Sequence, residues 1–231
     1  FTNKELLDDI NSIPESFAYL CVGHWMQGDL GEDRKNIGLT IRAFYEIFKN
    51  KKRVPALILK TSMVGSSYVD RREIMRRIDQ IKKSVQADSL PNVYLIHGEF
   101  SDIEMGELYN HPKIKAMISL TKGEGFGRPL LEFSLCNKPI MASGWSGQVD
   151  FLKPEFTGLI AGELRPVHAT AQIKDMILPN SNWYRPDENG IGFFMVNIFE
   201  NYKEWEVKAK RQGYQSRTNF SFDIMKEKLK S

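Results

Sequence analysis

The chain alternates short apolar runs with amphipathic segments through its first two thirds. The runs are mostly unbroken, as expected for parallel strands that helices cover on both faces. This alternation predicts an α/β fold with a doubly wound parallel sheet. The predicted strands are residues 17–22, 54–59, 93–96, 116–120, 139–142 and 158–161.

The segments between these strands carry apolar side chains at spacings of three and four residues. Such spacings place each set on one face of a helix, where the side chains pack into the core. The two clearest sets are Ile37, Ile41, Phe44 and Phe48, and Ile74, Ile78, Ile81 and Val85.

The two ends of the chain differ from its centre. Residues 3–13 predict a short helix, and residues 187–230 predict mostly helix without a strand. We therefore expect residues 1–14 to be a linker helix from an upstream domain, and residues 15–231 to form one domain with a helical C-terminal tail. The chain opens at Phe1 rather than Met, so we expect the natural N-terminus and any targeting signal to lie upstream.

The glycines gather after the carboxyl ends of the predicted strands, in five groups. That edge is where open α/β sheets bind ligands, and glycine there permits tight turns and close backbone approach. Ordinary strand-to-helix turns are the alternative explanation. The groups are Gly23, Gly28 and Gly31; Gly65; Gly98; Gly123, Gly125 and Gly127; and Gly144 and Gly147.

The densest candidate site is the segment 121–132, which reads Thr-Lys-Gly-Glu-Gly-Phe-Gly-Arg-Pro-Leu-Leu-Glu. It follows a predicted strand, and Pro129 suits the first turn of a helix, because its missing N–H would be unpaired there anyway. Free N–H groups and the positive end of the helix dipole make such a helix start an anion site. The segment therefore predicts a phosphate site.

Two carboxylates, Glu124 and Glu132, frame this loop. A carboxylate beside a phosphate repels it, so each needs another task. An ionised carboxylate has acceptors only, which suits it to receive hydrogen bonds from sugar hydroxyls. The alternatives are that Glu132 merely complements the helix dipole and that Glu124 is a solvated loop charge.

A second candidate segment is the long loop 22–36 after the first strand. Asp33 is a plausible N-cap for the next helix, which would place Arg34 and Lys35 in its first turn. Cations are unfavourable at a helix N-terminus, so their position suggests an anion nearby. The alternative is a pair of solvated charges.

Composition narrows the class of protein. The 231 residues include 32 Lys and Arg against 29 Asp and Glu, a net charge of +3. The two signs are interspersed, whereas nucleic-acid binders concentrate positive charge, so nucleic acid is not the expected partner. No apolar stretch is long enough to span a membrane. Cys21 and Cys136 lie in apolar runs and predict two buried free thiols in a reducing compartment, so we expect a cytoplasmic protein.

Glu124 and Glu132, with seven residues between them, resemble the E-x7-E motif of family-four retaining glycosyltransferases of GT-B fold. Five further segments resemble the family and follow one another in the family's order along residues 17–187. Val22-Gly23 with Arg34-Lys35-Asn36 resembles the first loop of the donor domain, and residues 138–143 resemble the strand after the motif. Residues 146–150 resemble a Gly-Gly-x-x-Glu turn, residues 157–160 the short strand after it, and residues 183–187 the start of a late helix. The resemblance implies a Rossmann-like domain, the C-terminal, donor-binding half of a GT-B enzyme.

The resemblance also implies roles for single residues. Lys35 would contact the donor diphosphate, Glu132 the ribose hydroxyls, and Glu124 the hydroxyls of the transferred sugar. The amides around Gly125, Phe126 and Gly127 would contact the sugar and the distal phosphate.

The chain departs from the family in three places. His24, next to Gly23, stands where the family often has an arginine, so Arg34 would supply that charge or it would be absent. Asp150 stands where glutamate is common. The stretch 163–182 is longer than usual and has no assignment.

The implied reaction is glycosyl transfer from a nucleotide diphosphate sugar with retention at the anomeric carbon. No cofactor and no metal are expected, since the chain contains no Asp-x-Asp motif. The acceptor is unknown and its binding domain is expected outside this chain, so the fragment alone would bind donor and transfer sugar weakly at most. The alternatives are a nucleotide-sugar-binding module, a nucleotide-sugar epimerase of similar fold, and a dinucleotide oxidoreductase. The glycine spacing, which is not G-x-G-x-x-G, argues against the last.

Overall fold

A computed structural model describes residues 4–63, 65–178 and 180–230 of the chain. Its centre is a six-stranded, fully parallel sheet in the order β3-β2-β1-β4-β5-β6. Each predicted strand is present, shifted by at most three residues at either end, and the predicted α/β fold is confirmed. The strands are β1 (Ala18–His24), β2 (Ala56–Ser62), β3 (Val93–Ile96), β4 (Ile114–Ser119), β5 (Ile140–Ser143) and β6 (Gly158–Ile160).

Helices cover both faces of this sheet. The short N-terminal helix and the helical C-terminal region are present as predicted. Residues 1–3 of the predicted linker 1–14, and Ser231, lie outside the described part of the chain. The helices are α1 (Lys4–Ser12), α2 (Ile37–Phe48), α3 (Tyr68–Ser84), α4 (Asp102–Asn110), α5 (Arg128–Ser134), α6 (Glu188–Glu200), α7 (Tyr202–Phe220) and α8 (Phe222–Lys228).

The core consists of two apolar clusters, one on each face of the sheet. Successive side chains of β1 alternate between them, because neighbouring side chains of a strand point to opposite faces. Tyr19 and Cys21 pack with α2, α3 and α6, whereas Ala18 and Leu20 pack with α1, α4 and α5. Both faces of the central strand are therefore buried, which explains its unbroken apolar sequence.

The start of α2 differs from the prediction. Asn36, in the left-handed conformation at φ 53° and ψ 35°, precedes a helix that begins at Ile37. Asp33 accepts a hydrogen bond from the Ile37 amide at 3.0 Å, and the Asn36 side chain donates to the Leu120 carbonyl at 2.7 Å. Because this bond to the end of β4 fixes Asn36 outside the helix, Arg34 and Lys35 lie in the loop and not in the first helical turn.

The second difference is an extra β-hairpin. Residues 183–187, expected to start a late helix, lie mostly in β8 (Asn182–Pro186), which pairs antiparallel with β7 (Gly162–Pro166). A residue before proline is disfavoured in a helix, and aromatic residues favour strands, so the helix begins only at Glu188. The hairpin and its connecting loop account for the unassigned stretch 163–182, except Pro179, which lies outside the described residues.

Both cysteines are free thiols. Cys21 is buried as predicted, and burial raises its pKa to about 12. Cys136 follows α5 at the end of its apolar run and is only partly buried, so that part of the prediction is wrong. Within the described residues, no helix has both the length and the apolar character needed to cross a bilayer.

Candidate functional site

The predicted site lies where the strand order of the sheet reverses. The chain leaves β1 and β4, neighbours at the centre of the sheet, toward opposite edges, and ligands of such sheets bind in the crevice at that point. The loop 25–36 after β1 meets the loop 120–127 after β4. The Lys122 amide donates to the Arg34 carbonyl at 2.8 Å, and Nη1 of Arg34 donates to the Gly123 carbonyl at 2.7 Å. The two loops therefore form one wall.

Three charged side chains converge on this wall. Nζ of Lys35 forms an ion pair with Oε1 of Glu124, and Nη1 of Arg34 lies 3.7 Å from Oε2 of the same carboxylate. Only 13% of the Lys35 side chain and 12% of the Glu124 side chain are exposed. The stem of Lys35 lies over Gly23, where a side-chain carbon would come within 3.3 Å of it. The two cations and one carboxylate leave one excess positive charge at the sheet edge.

The glycine-rich loop beside Glu124 offers backbone donors. No described residue accepts a hydrogen bond from the amides of Gly125, Phe126 and Gly127. A side-chain carbon on Gly125 would meet no protein atom within 4 Å, so the backbone is open to a ligand there. Gly127 ends the loop in the left-handed conformation, at φ 91°, and Pro129 occupies the first turn of α5 as predicted. The Phe126 ring packs on Phe151 at 5.3 Å between centroids.

Ser146, in the turn after β5, holds the Glu124 backbone from the other side. Its hydroxyl donates to the Glu124 carbonyl at 2.6 Å and accepts from the Glu124 amide at 3.1 Å. The Gly147 amide donates to the same carbonyl at 3.1 Å. A side chain at Gly147 would clash with the Gly125 carbonyl, so only glycine fits. In the sequence this turn shows only a resemblance to the family, and no pattern there predicts that Ser146 binds the Glu124 backbone.

Glu132 lies on α5 with a separate set of partners. It forms an ion pair with Arg128, one helical turn earlier, and Nη2 of Arg128 also contacts Asp102 at 2.7 Å. One third of the Glu132 side chain is exposed. Burial, reinforced by the charge of Glu132, raises the pKa of the neighbouring Tyr109 hydroxyl. Glu132 is therefore accessible to a ligand, and its ion pair lies at the surface, where such pairs contribute little stability.

Comparison with known proteins identifies the family. The profile of the family described as Glycosyl transferases group 1 matches residues 31–190, more than half of the chain. The chain belongs to this family. No curated protein sequence is similar enough to count as a relative.

Solved structures of glycosyltransferases share the fold of this chain. A glycosyltransferase from Rickettsia africae has a TM-score of 0.63 at 15% identity, over 98% of this chain and 51% of its own. Anabaena HepE in complex with UDP-glucose has a TM-score of 0.62 at 15% identity, over 97% of this chain and 50% of its own. The C-terminal domain of the glycosyl transferase group 1 family protein LpcC from Francisella tularensis has a TM-score of 0.57 at 13% identity, over 95% of this chain and 93% of its own. Such identities show the fold alone, which is one half of GT-B. The chain spans about half the length of the first two.

His24, the departure from the family pattern, makes its side-chain contacts with the end of β2. Its Nδ1 is 2.9 Å from the Ser62 hydroxyl and 3.2 Å from the Met63 carbonyl, at the end of β2. Arg34, not His24, is the second cation beside Glu124. The structure therefore brings Lys35, Arg34 and Glu124 together and leaves His24 exposed on the neighbouring strand end.

The hairpin of β7 and β8 is fastened to the loop that carries Lys35. Glu32 of that loop forms ion pairs with Arg185 of β8 and with Lys122, whose Nζ lies 3.2 Å away. Burial raises the pKa of the Glu32 carboxyl, but Lys122 and Arg185 outweigh it and hold that pKa below its usual value. Lys122 is 2% exposed, so Glu32 compensates a buried charge.

Two further bonds join the same segments. Nε2 of Gln27 donates to the Gln172 carbonyl at 2.8 Å, and the Asp29 amide donates to the Thr170 hydroxyl at 3.1 Å. The stretch that the sequence left unassigned thus covers the loop 25–36. Among the residues that the structure describes, no three His, Cys, Asp or Glu side chains converge as a metal site would require.

Proposed function

We propose that this chain is the C-terminal, donor-binding domain of a retaining glycosyltransferase with an E-x7-E motif. Its ligand would be a nucleotide diphosphate sugar, the class to which the UDP-glucose bound by Anabaena HepE belongs. The observation that carries the proposal is the cluster of Lys35, Arg34 and Glu124 at the crevice of the sheet, beside unpaired loop amides. The similarity to an isolated C-terminal domain over nearly its whole length supports the domain assignment.

The charges of the cluster suit a diphosphate leaving group. In the proposed reaction the bond between the anomeric carbon and the diphosphate oxygen breaks, and that oxygen keeps the electron pair. The acceptor hydroxyl attacks from the same face, and its proton passes to the departing diphosphate. Lys35 and the amides of Gly125, Phe126 and Gly127 stabilise the developing negative charge, because preorganised donors act most strongly where charge develops.

The two glutamates would bind the neutral parts of the donor. Glu124 accepts hydrogen bonds from hydroxyls of the transferred sugar, and Glu132 accepts from the ribose hydroxyls. The partial exposure of Glu132 leaves room for this contact. We propose that no metal or cofactor takes part, since Lys35 and Arg34 already supply positive charge at the leaving group.

The acceptor-binding domain would lie outside this chain. The fragment alone would then bind donor and transfer sugar weakly at most. The two free thiols support a reducing, cytoplasmic location.

A thermal-shift screen of UDP, GDP and ADP sugars tests the proposal. A ligand at 100 times its Kd is expected to raise the free energy of unfolding by about 2.7 kcal/mol. The shift is expected to survive excess EDTA and to shrink in Lys35→Ala. It is expected to persist in Lys52→Ala, which removes an exposed lysine ahead of β2, at the opposite edge of the sheet. No shift with any nucleotide sugar, or a shift that needs Mg²⁺ or Mn²⁺, would contradict it. Donor binding without transfer by the complete enzyme would favour a binding module.

A further inference from the structure

Ser146, in the turn after β5, has a backbone conformation that serine rarely adopts. Its φ is 75° and its ψ is −162°, a region that is essentially reserved for glycine. Four other non-glycine residues of the described chain have a positive φ, and all four are Asn or Asp, the types that tolerate it best. The family turn that residues 146–150 resemble has glycine at this position. A serine here therefore costs conformational energy that glycine would not.

The Ser146 hydroxyl bonds both backbone polar groups of Glu124. It donates to the Glu124 carbonyl at 2.6 Å and accepts from the Glu124 amide at 3.1 Å. The Gly147 amide donates to the same carbonyl at 3.1 Å. The turn thus directs a side chain and the next amide toward one residue of the neighbouring loop, and a glycine in place of Ser146 could form neither hydroxyl bond.

The other described contacts of Glu124 involve its carboxylate, which lies beside Lys35 and Arg34. In the proposed complex these cations bind the diphosphate, and the carboxylate exchanges Lys35 for sugar hydroxyls. Of the described bonds of Glu124, those from Ser146 and Gly147 are the ones that remain after this exchange. The turn after β5 therefore holds the Glu124 backbone while its side chain changes partners.

A carboxylate that binds sugar hydroxyls needs such a support. A hydrogen bond weakens steeply as its angle departs from linear, and binding groups have to be held within about 0.5 Å of their productive position. Gly123 and Gly125 flank Glu124, and glycine gives a backbone wide conformational freedom. A side-chain carbon on Gly125 would meet no described atom within 4 Å, so the protein does not confine the loop there.

We infer that Ser146 is a positioning residue for recognition of the transferred sugar. Its hydroxyl fixes the Glu124 backbone, so that the carboxylate keeps its bonds with the sugar hydroxyls once Lys35 contacts the diphosphate. The inference rests on the proposed function, because the sugar contact of Glu124 comes from it. It gives a task to a serine that neither the E-x7-E motif nor the glycine of the family turn supplies.

Calorimetry on the 231-residue chain tests this inference with UDP-glucose, GDP-mannose and ADP-glucose, each beside its nucleoside diphosphate. The Kd of the nucleoside diphosphate divided by the Kd of the nucleotide sugar is the sugar ratio, which reports the contact with the sugar. In Ser146→Ala and Ser146→Gly the sugar ratio is expected to fall about fivefold or more, with the nucleoside diphosphate Kd unchanged. Ser146→Thr, which keeps the hydroxyl, is expected to retain the ratio.

Two comparisons separate positioning from support of the fold. Ser146→Gly added to Glu124→Ala is expected to lower the sugar ratio no further than Glu124→Ala alone, because Ser146 acts through Glu124. Glycine also relieves the backbone strain and alanine does not, so Ser146→Gly is expected to melt above Ser146→Ala although both lose the sugar contact equally. The matched control is Ser84→Ala, which removes a hydroxyl that donates to the Ile81 carbonyl in the last turn of α3 and should leave the ratio unchanged.

The outcomes distinguish the inference from the proposed function. An unchanged sugar ratio in Ser146→Ala and Ser146→Gly, with a lowered ratio in Glu124→Ala, would overturn the inference alone. A ratio lower in the double variant than in Glu124→Ala would also overturn it, because Ser146 would then act independently of Glu124. An unchanged ratio in Glu124→Ala, or no binding of the three nucleotide sugars to the unmodified chain, would contradict the proposed function itself.

Discussion

Lys35 and Glu124 form a direct ion pair at the carboxyl edge of the sheet, although 89 residues separate them in the chain. Both side chains are mostly buried, and water therefore screens their charges little. Arg34 is a second, more distant cation beside Glu124. In the proposed complex the same two groups bind different parts of the donor. Donor binding would therefore replace this ion pair by two new contacts, Lys35 with phosphate and Glu124 with sugar hydroxyls.

Replacing Lys35 with alanine is expected to weaken nucleotide diphosphate sugar binding by roughly 1.5–3 kcal/mol, the loss of a charge-assisted hydrogen bond. The nucleoside without phosphates is expected to bind the variant and the unmodified chain equally. Calorimetry with both ligands measures the difference, and Lys35→Arg, which keeps the charge, is expected to lose less. An equal loss for nucleoside and diphosphate sugar would place Lys35 away from the diphosphate.

Two ligands of different length, the nucleoside diphosphate and the whole nucleotide sugar, are expected to distinguish the roles of Glu124 and Glu132. Glu132→Ala should lose affinity for the nucleoside diphosphate and for the whole donor alike, by about 1–3 kcal/mol for the shared ribose contact. Glu124→Ala should keep its affinity for the nucleoside diphosphate and lose only the contact with the sugar. Its largest effect is expected on kcat of the complete enzyme, if the contact tightens in the transition state.

Calorimetry of both ligands on both variants gives this comparison. Glu188→Ala, which removes an exposed glutamate from the first turn of α6, is the matched control and should change neither affinity. A loss of bare nucleoside diphosphate affinity in Glu124→Ala as large as in Glu132→Ala would show that both glutamates act on the nucleotide.

Glu32→Gln is expected to destabilise the fold by ~3 kcal/mol, because it leaves the buried Lys122 ammonium without its compensating charge. It should also weaken donor binding, since Glu32 fastens the loop of Lys35 to the hairpin. The double variant Glu32→Gln with Lys122→Met removes the unpaired charge and should recover most of the stability. Urea unfolding measures all three proteins, and an unchanged midpoint in Glu32→Gln would show that the ion pairs are not coupled to folding.

Lys138 is expected to make stability depend on pH. Its ammonium donates to the carbonyls of Tyr109 and His111, and burial lowers its pKa to about 8. Above pH 8 the folded state releases this proton while the unfolded state keeps it, so the contribution of Lys138 to the free energy of unfolding rises with pH. Relative to Lys138→Met, the unmodified chain should gain about 1.5 kcal/mol between pH 8 and 9.5. A difference that stays flat over this range would contradict the lowered pKa.

The sheet could be predicted because its strands are buried on both faces. In β1 and β2 this burial produces unbroken apolar runs that the sequence displays directly. β7 could not be predicted in the same way, because all five of its residues are exposed and no apolar pattern marks it. The aromatic residues Trp183 and Tyr184 of β8 favour a strand, whereas the resemblance to the family predicts the start of a helix there.

The candidate site was predictable where a local motif marks it and not where distant segments meet. Glu124 follows from the glycine-rich segment around it. Lys35 was expected in the first turn of a helix that in fact begins at Ile37, so the resemblance remains the sequence signal for it. The ion pair of Glu32 with Arg185 spans 153 positions, and no local pattern predicts it. The predicted start of α2 was wrong for the same reason, because a hydrogen bond from Asn36 to the distant Leu120 carbonyl determines where the helix begins.

The fastening of the hairpin to the Lys35 loop limits how this domain can be recombined with others. Glu32 in one segment has its charge partners in two others, so a loop transplanted alone would separate the Glu32 carboxylate from both partners and leave Lys122 uncompensated behind it. Residues 25–36, 120–127 and 162–186 therefore constitute a single exchangeable unit. Chimeras of this domain would have to inherit all three segments from the same parent.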